Sequence, residues 1–292
     1  MHEHEHEHES HALQEDPTMP RALVITAAGI NCDGELAEAF ELAGADVERI
    51  HLNRLAADPS IIDGFQLVGL PGGFSYGDAV AAGRIASVLI RTSIADALRR
   101  AVERGVPMIA PCNGFQIAVQ VGLLPGGANG GEPDDARPTV ALARNTSGRF
   151  VDRWSRVEYP ESRCVWTRGL DPAPAINLLP SAHGQGRFVP RDAELLEQLE
   201  SNGQIAVRYA ADDDLNGSVG RVAGICDPSG LVLGLMPHPE RYTRWTQHPW
   251  WTRLEIEDMD GETPGLSMFR AAVGAASGAQ VAMAGEDLSV GG

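Results

Sequence analysis

Short apolar runs alternate with amphipathic stretches over the first 120 residues, and this rhythm constrains the chain more than any other feature. Arg21–Ala27, Val47–His51, Leu67–Leu70 and Val106–Ala110 are too short for helices and rich in aliphatic side chains. Between them, Gly34–Leu42, Asp78–Ile90 and Thr92–Arg104 carry their apolar residues at helical spacing. Repeated strand–helix–strand units bury both faces of a sheet when the strands run parallel under helices on each side, so an open, doubly wound α/β architecture is expected. The second half changes character. Strand-like pieces at Thr139–Ala143, Phe150–Tyr159, Ile205–Tyr209, Val222–Cys226 and Leu231–Leu235 follow closely on one another, with one helix at Asp192–Leu199, which predicts antiparallel additions to the same sheet. A last helix is expected at Pro264–Val273.

The ends read differently. Residues 1–18 begin with alternating histidine and glutamate and show no apolar periodicity, so they are expected to be a disordered tail and an expression tag rather than a metal site. The folded domain is expected to span residues 19–274, with a flexible Gly/Ala-rich tail over 275–292. A net charge of −17 argues against nucleic acid or an anionic membrane surface as partner. All basic residues are arginine, since the chain contains no lysine, and this excludes a P-loop, a protein kinase site and Schiff-base chemistry. The four cysteines lack paired spacing, so neither a disulfide framework nor a metal site is expected. Without a signal peptide or an apolar run long enough to span a membrane, the expected location is cytoplasmic.

Chemistry concentrates at three places. In Val106-Pro-Met-Ile-Ala-Pro-Cys112-Asn-Gly-Phe-Gln116 a strand ends, a cysteine occupies the turn and a helix leaves at once. Such an elbow lifts a thiol above the sheet edge and aims the positive end of a helix at its sulfur, while Gly114 is expected to let a substrate come close. A buried structural cysteine is the alternative, but the polar Asn-Gly that follows would be wasted in a core. Leu231–Met236 then delivers Pro237-His238-Pro239-Glu240 at a strand end, so His238 is the candidate base, and Glu240, two residues on, can orient it. The third place is the glycine turn Gly72-Gly73 after Leu67–Leu70. Its Gly73 N–H, together with that of Asn113, is expected to hold an oxyanion. Cys32 is read as part of a helix start with Asp33 as N-cap, and Cys164 and Cys226 as core residues in strand-like stretches.

These segments, in this order, resemble class I glutamine amidotransferases of flavodoxin-like fold. With Asn31-Cys-Asp33, Gly72-Gly-Phe-Ser-Tyr-Gly-Asp78, Asn145-Thr-Ser-Gly-Arg149-Phe150, Ala182-His-Gly184, Asn216-Gly-Ser218 and Met236-Pro-His-Pro-Glu-Arg241, they resemble more narrowly the glutaminase subunits of phosphoribosylformylglycinamidine synthases. The resemblance implies a Cys112 nucleophile, a His238 base, a Glu240 orienter, and a glutamine head group held by Gln116 and the main chain around Arg149 and Phe150. It also implies a synthetase subunit, alone or with a small accessory subunit, that carries ATP and magnesium and uses the ammonia, leaving no cofactor on this chain. Gly184-Gln185-Gly186 departs from the family's usual Gly-Glu-Gly. His183 is open to two readings, a residue that lines the ammonia exit or contacts the synthetase, or a satisfied structural histidine. So are Trp245, Trp250 and Trp251, which can mark an interface or pack over the sheet end. A free-standing cysteine amidase or γ-glutamyl hydrolase of the same fold is the competing enzyme, and a non-catalytic regulatory subunit is the competitor of another class.

Overall fold

A computed structural model describes residues 19–78, 83–126, 139–171, 177–213, 215–255, 259 and 261–287. The expected tail over 1–18 and nearly all of the Gly126–Pro138 loop lie outside them. Five strands form the parallel half of one sheet: β1 (Arg21–Thr26), β2 (Asp46–His51), β3 (Leu67–Gly69), β4 (Met108–Pro111) and β11 (Val232–Leu235). Four more, β6 (Val151–Glu158), β7 (Leu178–His183), β9 (Ile205–Tyr209) and β10 (Val222–Cys226), extend it antiparallel, giving the order β2-β1-β3-β4-β11-β10-β9-β6-β7. The open, doubly wound α/β fold expected from the rhythm is therefore present, with antiparallel additions in its second half.

Alternation along β1 shows how the sheet is buried. Leu23 and Ile25 join one apolar cluster while Ala22 and Val24 join the other. The first cluster takes Leu52 and Leu55 of α2 (Leu52–Ala57), Ile90 of α3 (Arg84–Ser93), Leu98 of α4 (Ala95–Glu103) and Ile117 of α5 (Asn113–Gln120). The second takes Leu36 and Phe40 of α1 (Asp33–Ala43) and Met268 and Phe269 of α7 (Pro264–Asp287). Both faces of the parallel strands are covered, as period-two burial in a doubly wound sheet requires.

Four expectations need correction. Residues 140–144 form β5 (Val140–Arg144), which leaves the main sheet and pairs with β8 (Gln185–Pro190) in a separate antiparallel ribbon. Strands β7 and β8 escape the sequence pattern because Pro180 and Pro190 sit inside or at the end of them, where proline ordinarily argues against a strand. Cys164 lies in no strand; it precedes a short 3-10 turn at Val165–Thr167, although it is fully buried. Finally, the last helix, expected at Pro264–Val273, is α7 and continues to Asp287, because the alanine-rich stretch favours helix despite its glycines. The helix expected at Asp192–Leu199 is α6 (Ala193–Ser201), the one expected at Asp78–Ile90 begins only at Arg84 as α3, and the remaining pieces fall close to their expected positions. Among the described residues, no helix is long and apolar enough to cross a membrane.

Gly114 has a different purpose from the one its sequence suggests. A Cβ there would stand 2.0 Å from the carbonyl oxygen of Leu70, so the first turn of α5 lies directly on the chain leaving β3. This contact fixes the distance between the Cys112 turn and the Gly72–Gly73 loop. Gly114→Ala should lower unfolding stability by roughly 2–4 kcal/mol in denaturant titration, since neither backbone can yield without moving a core helix. Wild-type stability in that variant would show that α5 is free to slide.

Candidate functional site

The site lies at the carboxyl ends of the parallel strands, where strand order reverses direction between β1 and β3, the usual place for ligands in an open α/β sheet. A cavity of about 390 Å³ opens there. Its walls come from the segments that follow β1 (Asn31, Cys32), β3 (Gly73, Phe74), β4 (Cys112, Gln116) and β11 (His238, Arg241). The antiparallel half closes the other side. Pro180 of β7 accepts a hydrogen bond from the His238 amide at 2.8 Å, and Ala182 presents its carbonyl 3.6 Å from the Cys112 sulfur, so the β6–β7 hairpin folds over the ends of β4 and β11.

Cys112 occupies the sharp turn between β4 and α5 with φ 50° and ψ −107°, a backbone conformation that side chains other than glycine rarely adopt. Its amide donates to Leu235 O at 2.7 Å and its carbonyl accepts from Gln116 N at 3.2 Å, so strand pairing and the first helical turn hold the strained residue from both sides. Gly72 is the glycine on which close approach depends. A Cβ there would lie 2.9 Å from His238 Cε1 and 3.4 Å from both Cys112 Cβ and Cys32 Sγ.

His238 and Glu240 are almost entirely buried and joined by a 2.6 Å contact from Nδ1 to Oε1. Burial pushes the imidazole towards neutrality, but the Glu240 carboxylate and the adjacent Cys112 and Cys32 sulfurs outweigh it and hold His238 well above the ordinary histidine range. Nδ1 therefore carries a proton towards Glu240, leaving the other ring nitrogen for the cavity.

The remaining expected residues divide. Gly73 lines the cavity and pairs through an isolated bridge with Ile30. Asn113 lies buried beneath it as the first residue of α5, where its amide N–H has no acceptor within the helix. Its side chain accepts from Ser75 N and donates to Gln116 Oε1, tying the glycine loop to α5. Gln116 reaches the cavity, yet its amide also donates to Gln185 O at 2.6 Å, so both ends of it are already used. Phe150 is half-exposed at the rim and stacks on Phe74 with centroids 6.4 Å apart, whereas Arg149 does not line the cavity; its carbonyl accepts from Asn145 Nδ2 and its amide donates to Ser147 Oγ.

Sequence reasoning missed Cys32. It caps α1 without a side-chain bond, while Asp33, expected as the cap, sits in the first turn and meets Arg49 at 3.4 Å. The Cys32 sulfur lines the cavity, accepts from Arg241 Nη2 at 3.0 Å and donates to Asn31 Oδ1 at 3.4 Å. Burial pushes this thiol up, against the pull of His238 and Arg241. Asp152 and Gln185, to which no role was assigned, and His183, which was open to two readings, also line the cavity. The signal was available in the Asn31-Cys-Asp33 and Ala182-His-Gly184 motifs, but only the fold brings them to Cys112. Of the tryptophans, Trp245 packs edge-on against Tyr242 and donates to Gly261 O, while Trp250 and Trp251 remain exposed.

Cys32, His238 and Glu240 are the group of described residues whose potential metal-ligating atoms lie within 4.8 Å of one another. The arrangement does not fit a cation, because His238 Nδ1 is committed to Glu240 and the Arg241 guanidinium is seated on the Cys32 sulfur.

Comparison with known proteins agrees with this geometry. The CobB/CobQ-like glutamine amidotransferase domain family matches residues 19–274. The chain is 38% identical over 261 residues to the phosphoribosylformylglycinamidine synthase subunit PurQ of Dehalococcoides mccartyi, covering 87% of this chain and 96% of that one. It is 39% identical over 240 residues to the corresponding subunit of Treponema denticola, covering 76% and 87% respectively. The solved structure of PurLQS from Thermotoga maritima contains a chain that superimposes with a TM-score of 0.65 at 32% identity, over 88% of this chain and 99% of that one. Sheet order, cavity position and sequence similarity converge, and the chain belongs to the glutamine amidotransferases of the phosphoribosylformylglycinamidine synthase PurQ family.

Proposed function

We propose that Cys112, His238 and Glu240 are the triad with which this chain hydrolyses glutamine in the cytoplasm. The ammonia passes to a synthetase subunit of the same complex, which converts formylglycinamide ribonucleotide to formylglycinamidine ribonucleotide in purine biosynthesis. One observation carries the reading: a cysteine on a strained strand-to-helix turn and a buried His–Glu pair meet around a single glycine at one cavity. Asp152 and Arg241 bring one negative and one positive charge to the same cavity, a complement to the ammonium and carboxylate of a free amino acid. This supports glutamine over an uncharged amide.

The chemistry follows from the arrangement. The Cys112 sulfur gives its proton to His238 and attacks the side-chain amide carbon, and the developing oxyanion is held by the Gly73 and Asn113 amides. His238, protonated on both ring nitrogens, gives the cavity-facing proton to the departing nitrogen, so ammonia leaves a thioester on Cys112. His238 then takes a proton from water as that water attacks the thioester, and glutamate is released. Glu240 accepts the Nδ1–H throughout and keeps the ring aimed at the sulfur. ATP and magnesium belong to the synthetase subunit, in keeping with a chain that has no lysine for the phosphates of a P-loop.

Three outcomes test this reading. Cys112→Ala should abolish glutamine hydrolysis, whereas Cys32→Ala should keep it within about tenfold of wild type, because Cys32 contacts the base without occupying the elbow. Turnover by a purified Cys112→Ala protein would remove the nucleophile assignment.

Glu240→Gln should bring the His238 pKa down, read by NMR titration of the ring, and should reduce turnover less than His238→Ala. The sign follows from the raised folded value. In wild type the pair contributes stability that is complete below the unfolded histidine pKa and is lost as pH rises through the folded one. Denaturant midpoints of wild type should therefore fall over that window, and those of Glu240→Gln should fall less. Equal slopes would show that Glu240 does not hold the imidazolium.

The free chain should hydrolyse glutamine poorly and gain kcat/KM on assembly with its synthetase, formylglycinamide ribonucleotide and ATP. Phe74 is half-exposed on the Gly72–Asp78 loop at the cavity rim, so a docked partner can complete the position of Gly73. Efficient turnover in the free chain would favour the free-standing hydrolase.

A further inference from the structure

His183 is the second histidine of the cavity wall, and the triad does not use it. Its side chain is 3% exposed. Its Nδ1 lies 3.1 Å from Asn145 Oδ1. The direction of that bond is fixed by the asparagine, whose Nδ2 is committed to two carbonyls, Arg149 O at 3.1 Å and His183 O at 2.8 Å. With the amide nitrogen held there, the oxygen faces the ring and can only accept, so Nδ1 must carry the proton. Nε2 is left as a bare lone pair. That atom has no hydrogen-bond partner and is closed to solvent, the cavity included, so a donor reaches it only as the β7 wall shifts.

A buried acceptor without a donor costs free energy, so a donor that arrives during turnover would relieve it. The ring is held firmly for the purpose. A Cβ at Gly186 would stand 2.5 Å from His183 Nδ1, so the imidazole lies flat on that glycine and no larger residue fits beneath it. The neighbouring Ala182 carbonyl faces the Cys112 sulfur, which places His183 one residue from the point where the amide bond breaks.

We propose that His183 Nε2 receives ammonia as it leaves the Cys112 thioester and holds it, through one N–H, on its way to the acceptor; this rests on the glutaminase reading above. No proton moves in the step. Cleavage of the carbon–nitrogen bond, with a proton from His238, gives neutral NH3, and NH3 donates one N–H to the lone pair of His183. Neutrality of the receiver is the essential property, because an imidazolium there would turn ammonia into ammonium, which has no lone pair for attack. Burial, reinforced by the charge of His238, holds His183 down at about 4, so the ring stays an acceptor at physiological pH. The two histidines of one cavity thus have opposite duties, one giving a proton to nitrogen and the other withholding it.

The test uses the reconstituted complex with glutamine, the ribonucleotide amide and ATP, and measures glutamate and amidine product in the same reaction. Wild type should form them near parity. His183→Phe keeps a ring of similar size but has no acceptor, and should lower amidine formation more than glutamate formation, raising their ratio roughly fivefold, about the value of one hydrogen bond. His183→Gln, whose amide oxygen supplies an acceptor, should bring the ratio back towards wild type. With ammonium salt as the nitrogen source, amidine formation should be the same in all three complexes, which reports an intact synthetase and assembly. A ratio unchanged in His183→Phe, or glutamate and amidine falling in parallel, would overturn the assignment. Failure of the wild-type complex to make amidine from glutamine would instead overturn the glutaminase reading and this inference with it.

Discussion

The backbone of Cys112 is the constraint on which the site depends. A non-glycine residue at φ 50° and ψ −107° costs on the order of 1–3 kcal/mol, and persists only where surrounding structure over-determines it. Three sets of contacts do so here. β4 is locked in parallel register between β3 and β11, the Cys112 amide is tied to Leu235, and α5 is seated through Gly114 on Leu70. Strand pairing therefore sets the direction in which the sulfur leaves the sheet, and helix packing sets how near the Gly72–Gly73 loop comes to it. A looser turn would relax the strain and swing the sulfur away from His238.

Electrostatics at the cavity follow from burial rather than from the overall acidity of the chain. His238 and Glu240 lie almost wholly out of solvent, where an unpaired charge would be very costly, so the two are stable as a pair and neither is dispensable. His183, equally buried but facing an amide oxygen instead of a carboxylate, has nothing to offset desolvation and stays neutral. The difference between the two imidazoles is thus one partner: a carboxylate in the first case, a neutral amide in the second. Arg241 occupies the space between them and the α1 start, where it meets both Cys32 and Glu35.

Legibility in the sequence follows the range of the interaction. The alternation of β1 through β4 with their helices is local, and so is the strand–Cys112–helix elbow; both could be read from periodicity and from the polar Asn-Gly after the cysteine. His238 and Glu240 are two residues apart, so their pairing could be read as well. Cys32 could not. Its neighbours Arg241 and His238 lie more than 200 positions away, and no local pattern says that the loop after β1 faces the loop after β11. Gly114 was misread for the same reason, since only the packed sheet shows that its close neighbour is Leu70 rather than a ligand. Strand β7 was hidden by Pro180, whose missing N–H suggests a break although its carbonyl is the group that anchors the His238 amide.

The two halves of the chain divide the site along the same line that divides the sheet. Parallel strands supply the elbow, the glycine loop and the histidine, all at their carboxyl ends, and they form the floor of the cavity. The antiparallel half supplies the wall: Ala182 against the sulfur, His183 beside it, and Phe150 stacked on Phe74 at the rim. Neither half encloses a cavity alone. Because β6 and β7 sit at the far edge of the sheet yet fold back over its middle, the wall is held to the floor by few bonds, chiefly Pro180 to His238 and Gln185 to Gln116. The floor is rigid by construction and the wall is attached at points, so movement that admits substrate or releases product is cheapest along the seam between them. The proposed nucleophile and base face that seam, and His183 lies in its wall.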